Sequence, residues 1–144
     1  MTAASMYRSV GKLHVTIAEP LIVGTLHGRI RACVPITGGT LRGPDLNATI
    51  LPGGYDWAWL SEGGIAEVEA RYVLNLGDGA YATVVNRGQC EPVSWQTDTF
   101  AGRSIPTFET GSPEYDWLNT GTFLCIFTSR MADAFVELEL FMID

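Results

Sequence analysis

Residues 65–88 read Ile-Ala-Glu-Val-Glu-Ala-Arg-Tyr-Val-Leu-Asn-Leu-Gly-Asp-Gly-Ala-Tyr-Ala-Thr-Val-Val-Asn-Arg-Gly, and they carry the clearest structural pattern in the chain. Two runs rich in β-branched and aromatic residues flank Asp78-Gly79, a pair that tolerates the positive φ angles of a tight turn. The segment therefore predicts a β-hairpin, with one arm on each side of that turn.

The composition of the whole chain favours an all-β protein with one domain. The chain has 144 residues, of which 16 are glycine and only 17% are charged. A helical protein usually needs more Glu, Lys and Arg on its exposed faces, whereas glycine suits the tight turns between strands. We expect a loose N-terminal arm over residues 1–11 and a single β-barrel domain over residues 12–144.

Short apolar runs separated by Gly, Pro and Asp predict eight to ten strands with little helix. Besides the hairpin, these runs cover residues 13–17, 21–25, 29–36, 46–50, 56–60, 105–109, 119–128 and 134–143. Residues 89–103 are polar and have no period, which predicts a long loop or lid. A closed or nearly closed antiparallel barrel would remove exposed strand edges, and a two-sheet sandwich is the alternative.

The two faces of the first hairpin arm differ, and the pattern leaves their orientation open. Because side chains repeat every second residue in a strand, Glu67, Glu69 and Arg71 share one face. If the apolar face points inward, Tyr72 and Trp57 line the interior and the charged face is solvated. If the charged face points inward, Glu69, Arg71 and Asn86 converge on a pocket. Barrels of about eight strands can hold one small ligand in either case.

Charge and hydropathy exclude two classes of partner. The formal net charge is -7, and no cluster of Lys and Arg is present to neutralise phosphates, so we expect no nucleic-acid partner. No apolar run approaches the roughly 18 residues that span a bilayer, and the N-terminus lacks a signal-peptide pattern. We therefore expect a soluble, cytoplasmic protein without a membrane partner.

The sequence has no recognisable handle for a cofactor or a metal. Its two histidines, His14 and His27, do not have the spacing of a zinc or iron site. Phosphate loops, dinucleotide fingerprints and the nucleophile elbow of hydrolases are absent as well. The cysteines are odd in number and widely separated, which favours reduced thiols. We expect neither a metal nor an organic cofactor.

Three carboxylates are candidates for acid–base chemistry: Asp56, Glu69 and Glu109. A carboxylate enclosed by aromatic rings loses hydration, which raises its pKa toward the range useful for proton transfer, whereas one beside Arg71 would stay ionised. Arg71 and Asn86 would polarise a carbonyl or stabilise an enolate. The residues that would shape the surrounding pocket are Trp57, Tyr72, Trp117 and Asn119. The Trp117 ring is large enough to form a pocket wall or to plug one end of the barrel.

An ordered set of motifs runs along the chain. They are Val34-Pro35-Ile36-Thr37-Gly38-Gly39-Thr40, Gly43-Pro44, Leu51-Pro52-Gly53-Gly54, Asp56-Trp57, Ala70-Arg71-Tyr72, Asp78-Gly79-Ala80, Asn86-Arg87-Gly88, Phe108-Glu109-Thr110-Gly111, Tyr115 and Trp117-Leu118-Asn119. With them the chain resembles the bacterial and fungal family called domain of unknown function 3237, or UPF0311, over about residues 13–143. The resemblance implies a compact β-barrel without a known metal or organic cofactor, in a family that has no assigned reaction. Residues 88–106 look shortened relative to the family's pattern.

Three functions are compatible with these observations. The first is a cofactor-independent isomerase, cyclase or lyase of secondary metabolism that acts by proton transfer on an apolar carbonyl or phenol compound. The second is a non-catalytic carrier or sensor that uses the same cavity. The third is an assembly module in which the barrel supports an interface. Unsatisfied strand edges near Pro20 or Pro35 would also suit a homo-oligomer, a dimer or larger.

Overall fold

The computed structural model describes residues 6–94 and 98–144. Within these residues the chain forms ten strands: β1 Tyr7–Ile17, β2 Leu21–Leu26, β3 Arg29–Arg42, β4 Asn47–Ile50, β5 Gly54–Leu60, β6 Ala66–Gly77, β7 Ala80–Ser94, β8 Thr99–Thr110, β9 Thr122–Arg130 and β10 Phe135–Ile143. A one-turn helix, α1, spans Trp117–Thr120, and two 3-10 turns cover Pro113–Tyr115 and Met131–Asp133. No helix in the described part of the chain is long and apolar enough to cross a bilayer.

The predicted hairpin is confirmed as β6 and β7, which pair in antiparallel register from Ala66 opposite Cys90 to Gly77 opposite Ala80. Asp78 and Gly79 form the turn with φ angles of 52° and 79°. Both values lie in the left-handed region that a two-residue hairpin turn with the right twist requires. Among the described strands, only β7 and β8 pair over more residues than these two arms do.

The strands close into an antiparallel barrel with eight positions, so the barrel prediction is confirmed and the sandwich is excluded. The order around the wall is β1, β10, β9, β8, β7 and β6, and β1 also pairs with β3 to close the ring. Two short strands, β4 and β5, share the one position between β3 and β6. β4 pairs with the C-terminal half of β3, and β5 pairs with its N-terminal half. On the opposite side of β3, β1 pairs with its C-terminal half and β2 with its N-terminal end.

One end of the barrel is filled by large apolar side chains, and the other is not. At the filled end Leu41, Leu74 and Leu140 are fully buried, and Leu118 of α1 is buried in the same core cluster. The Phe123 ring packs edge-on against Phe108 with ring centroids 5.0 Å apart. At the other end the inward positions include four alanines, Ala32, Ala58, Ala66 and Ala70. Since alanine leaves the volume of a larger side chain empty, this end contains a cavity.

The N-terminal arm is shorter than expected. β1 begins at Tyr7 and pairs with β10 from Ile143 onward, so the prediction of a loose arm is wrong for residues 7–11. Residues 1–5 of that arm lie outside the described residues. The alternation is broken there by a β-bulge between Ser9 and Gly11, which explains why the strand has no clear period. Val10 at the bulge is nonetheless buried in the core.

The predicted long loop over residues 89–103 is also wrong for most of its length. β7 continues to Ser94 and β8 begins at Thr99, while residues 95–97 lie outside the described part of the chain. Gln89 pairs with Arg103, and Cys90 pairs with Gly102. Backbone pairing with both neighbouring strands holds this polar stretch extended, although its side chains give no period.

Candidate functional site

The cavity inside the open end of the barrel has a volume of about 210 Å³. Its wall is mostly aliphatic and aromatic, and the polar side chains among the described residues of the wall come from Asp56, Tyr72, Asn86, Cys90, Ser104 and Ser129. None of the described residues of this wall is Lys, Arg or His. A concave apolar pocket with a few converging polar groups is the usual form of a small-molecule site.

Asp56 is the only residue with a carboxylate on the described cavity wall. It points inward because its neighbours Tyr55 and Trp57 on β5 point outward, as the period of a strand requires. Its Oδ1 atom is buried and has no hydrogen-bond partner in the described part of the chain. Desolvation raises the pKa of Asp56 to about 7, and a hydrogen bond from the backbone N–H of Glu69 partly offsets that rise. Both protonation states are therefore populated near neutral pH.

Asn86 faces Asp56 across one intervening strand. Asp56 pairs with Ala70, and Ala70 pairs with Asn86, so the three residues form one row across β5, β6 and β7. Asn86 is 7% exposed, and its Oδ1 atom is buried without a hydrogen-bond partner among the described residues. Neighbouring strands lie about 4.8 Å apart, so Asp56 and Asn86, two strands apart, are separated by roughly 10 Å, which leaves room for a ligand above Ala70.

Tyr72 lies two residues beyond Ala70 on the same inward face of β6 and is 7% exposed. Burial raises the pKa of Tyr72, with smaller contributions from Cys125 and Asp56, so its hydroxyl stays protonated and can donate. Burial likewise raises the pKa of Cys90 to about 11, helped by the nearby Asp56. Cys90 is therefore a thiol in this wall, and a thiol is a poor nucleophile compared with a thiolate.

Glu69 and Arg71 lie on the outer surface of the barrel, so the expectation that they share a pocket with Asn86 is wrong. The Glu69 carboxylate accepts hydrogen bonds from Arg87 Nε and, at 3.1 Å, from Arg71 Nε. These two bonds hold the pKa of Glu69 below its usual range. The charged face of the hairpin is thus the solvated one, because in the closed barrel Val68, Ala70 and Tyr72 face the cavity instead.

Trp57 also lies outside the cavity, which corrects the expectation that it lines the interior together with Tyr72. The residue is 37% exposed. The Arg31 guanidinium stacks 5.4 Å from the Trp57 ring and 4.4 Å from the Trp59 ring. Together with Glu67 and Glu69 these side chains form a ladder of rings and charges on the outer wall. Asp56 and Trp57 are adjacent in sequence but face opposite sides of β5.

The remaining predicted site residues lie at the filled end, away from the cavity. Glu109 is on the outer surface, where it accepts a hydrogen bond from Thr83 Oγ1 at 3.3 Å. Asn119 bonds both the N–H and the C=O of Thr110, at 2.8 and 2.9 Å, and so fixes α1 to β8. Trp117 packs beside Phe123 with ring centroids 6.2 Å apart, which makes it part of the plug.

Sequence reasoning missed several residues of the cavity wall. Phe100 and Ser104 belong to the wall from β8, and Cys90 belongs to it from β7. All three fall in or next to the stretch that was expected to be a loop, so their inward direction had no period to predict it. The alternating alanines of β5 and β6 are the signal that could have located the cavity. In the part of the chain that the structure describes, no group of three His, Cys, Asp or Glu side chains is placed to hold a metal ion.

Comparison with known proteins finds relatives in several organisms. A UPF0311 protein of Clostridium acetobutylicum is 33% identical over 132 residues, which cover 83% of each chain. The crystal structure of a beta-barrel like protein from Acinetobacter baumannii aligns over 100% of both chains with a TM-score of 0.84 and 26% identity. A hydroalkoxylation enzyme of Penicillium herquei is 28% identical over 94 residues, which cover 65% of this chain and 55% of that enzyme.

The match to a family model extends over residues 7–143, which includes every strand described above and the whole cavity wall. The family and the barrel agree with the resemblance that the ordered motifs indicate. This chain therefore belongs to the protein family of unknown function DUF3237.

Proposed function

We propose that this protein is a cofactor-independent enzyme of small-molecule metabolism that moves a proton on an apolar substrate inside the barrel cavity. The observation that carries this proposal is Asp56, a buried carboxyl group with an unpartnered Oδ1 atom and a pKa of about 7. Burying a polar atom without a partner costs stability, and such groups concentrate at functional sites. A ligand that hydrogen-bonds Asp56 would remove this cost.

The chemistry of the Penicillium relative suggests a reaction class that one such carboxyl group can support. Hydroalkoxylation adds an O–H group across a C=C bond. A protonated Asp56 would give its proton to one alkene carbon, the hydroxyl oxygen would bond to the other carbon, and the ionised Asp56 would then take the hydroxyl proton. Atoms and electrons balance without a redox partner, and the carboxyl group ends in its starting form. The reverse reaction is a lyase step, and an intramolecular case is a cyclisation.

Asn86 and Tyr72 would orient the substrate in this reaction. The Asn86 side chain offers both an amide donor and its unpartnered Oδ1 acceptor, which suits a substrate hydroxyl group. The neutral Tyr72 hydroxyl can donate to a carbonyl or phenol oxygen. Since the described wall contributes no cation, the site suits an uncharged substrate better than a carboxylate or a phosphate.

The proposal is tested by an addition assay in heavy water with 2-(3-methylbut-2-enyl)phenol, an uncharged probe that carries both a hydroxyl group and an alkene. We expect the wild type to form the cyclic ether with one deuterium on carbon, as measured by mass spectrometry. Asp56→Asn keeps the shape of the side chain but removes the acid, so turnover should fall about 10²- to 10⁴-fold. Glu69→Gln is the matched control on the outer wall and should stay within about threefold of the wild type.

The carrier hypothesis gives a different result in the same assay. An apolar cavity is sufficient for a carrier, which would bind the probe tightly in calorimetry without converting it or any related unsaturated phenol. Equal turnover by the wild type and Asp56→Asn would contradict the role of Asp56. Loss of turnover in Glu69→Gln, with Asp56→Asn unaffected, would place the chemistry on the outer wall instead.

A further inference from the structure

The strand β2 ends the sheet and has one unpaired edge. It pairs with β3 from Leu21 opposite Cys33 to Leu26 opposite Arg29, and the strand order stops there. Among the described residues no strand pairs with its other edge. An open edge presents a row of backbone N–H and C=O groups, and such an edge is a template for another strand.

The side chains of β2 are apolar and exposed. Leu21 is 56% exposed, Ile22 and Val23 are each 62% exposed, and Leu26 is 42% exposed. A register shift between Ile22 and Gly24 places a bulge at Val23, so two neighbouring residues are exposed together. Isolated exposed apolar residues are normal, but this six-residue strand has four of them along the unpaired edge of the sheet.

The charge distribution points to a second copy of this chain as the partner. Residues 21–28 contain no Asp, Glu, Lys or Arg, whereas the chain as a whole carries a formal net charge of -7. Two copies with this net charge repel each other overall, and contact through an uncharged edge adds no local repulsion. It also has no charge that would select an oppositely charged partner. An antiparallel strand edge is complementary to itself around a two-fold axis.

We infer that two copies of this protein associate through β2, with the two β2 edges pairing in antiparallel orientation. Pro20 and Ile22 also belong to the cavity wall, next to this edge. In the dimer, β2 of the second copy lies beside that part of the wall and extends its apolar surface. In this arrangement the rim of the cavity next to Pro20 and Ile22 is bordered by both copies, while the barrel itself is closed within each chain.

The inference is tested by light scattering on the whole chain over concentrations from micromolar upward. We expect the wild type to have twice the 15.7 kDa mass of one chain. Val23→Lys puts two like charges at the two-fold axis and should weaken association about 100-fold or more. Ile105→Lys is the matched control, because Ile105 is 61% exposed on β8, away from the edge, and receives the same charge. It should leave the dimer intact.

A second measurement identifies the surface that pairs. Hydrogen exchange of the β2 amides in the wild type should slow as the protein concentration rises, and in Val23→Lys it should not depend on concentration. A wild type that stays monomeric overturns the inference. So does a dimer that Ile105→Lys dissociates as readily as Val23→Lys, or one whose β2 amides exchange at the same rate at every concentration. Circular dichroism of both variants confirms that the barrel is folded.

Discussion

Asp56 and Glu69 are carboxylates on neighbouring strands, but they lie on opposite surfaces of the barrel wall. Glu69 pairs in register with Trp57, the residue that follows Asp56. On the outer surface two arginines bond to Glu69 and lower its pKa. On the inner surface Asp56 meets apolar groups, and desolvation raises its pKa to about 7. The thickness of one strand thus separates a carboxyl group whose pKa is lowered by two arginines from one that can exchange a proton near neutral pH.

The difference between these two surfaces shows which physical effect controls each group. Outside, water screens the charges, and the ion pairs of Glu69 adjust its pKa without a large effect on stability. Inside, the loss of hydration disfavours the ionised form of Asp56, and a single backbone N–H replaces only part of it. The inner carboxyl group should therefore lower the stability of the fold and be suited to proton transfer. The outer carboxyl group should have neither property.

The largest effect on stability should come from Asp56→Asn above neutral pH. An unfolded Asp has a pKa of about 3.9, so between that value and the folded pKa the native state holds a proton that the unfolded chain has released. The free energy of unfolding of the wild type then falls as pH rises through this window. Relative to the wild type, Asp56→Asn should gain roughly 4 kcal/mol between about pH 4 and about pH 8.

Urea unfolding at several pH values measures this difference. Subtracting the variant from the wild type removes the pH dependence of all other groups, including the opposite contribution of Glu69. A difference that does not change with pH would mean that Asp56 has an ordinary pKa, and the main support for its role in proton transfer would be lost.

Two leucine substitutions compare the packing of the filled end with that of the open end. Leu74 is fully buried, so Leu74→Ala should lower the free energy of unfolding by about 3 kcal/mol, since it leaves a new void in a packed region. Leu60 belongs to the wall of the existing cavity, and Leu60→Ala only enlarges that cavity. It should cost about 1 kcal/mol, in line with partial loss of apolar burial. Thermal and urea unfolding of the pair would show equal losses if both ends were packed alike.

The smallest effect should come from the outer wall. Glu69→Gln removes the charge that Arg71 and Arg87 contact, and should cost no more than about 1 kcal/mol at neutral pH. The depressed pKa of Glu69 means that this contribution is lost as pH falls through its folded pKa, and added salt should reduce it. Glu62→Gln is the control, because Glu62 makes no ion pair with the described residues. A loss as large as that expected for Leu74→Ala would show that the outer cluster supports the fold directly.

Much of the fold could be predicted from local patterns. The hairpin turn at Asp78-Gly79 needs positive φ angles, and few residue pairs supply them, so its place in the sequence indicates its place in the structure. The absence of long amphipathic runs predicts a barrel, because strands without covering helices need a closed sheet to pair their edges. The bulged start of β1 and the polar arms of β7 and β8 could not be predicted, since neighbouring strands hold them extended.

The candidate site could be predicted only in part. The cavity wall includes Asp56, Tyr72 and Asn86. An inward apolar face predicts this position for Tyr72, whereas an inward charged face predicts it for Asn86. Neither orientation was right for all residues, because Asn86 lies on β7 and its inward face is set by pairing with Ala70, not by the charges of β6. An inward apolar face would place Trp57 in the interior with Tyr72, but the Trp57 ring lies outside, where it packs against the Arg31 guanidinium.

The alternation in the sequence by itself determined that Asp56 and Trp57 face opposite ways, as do Glu69 and Ala70, because a strand has a period of two. Which of the two sides forms the interior depends on the closure of the ring by the pairing of β1 with β3. The pKa of a carboxyl group depends on which atoms replace its water, and most of those atoms belong to strands distant in the sequence. Asp56 is an ordinary aspartate in the sequence, and only the closed barrel supplies the burial that raises its pKa to about 7.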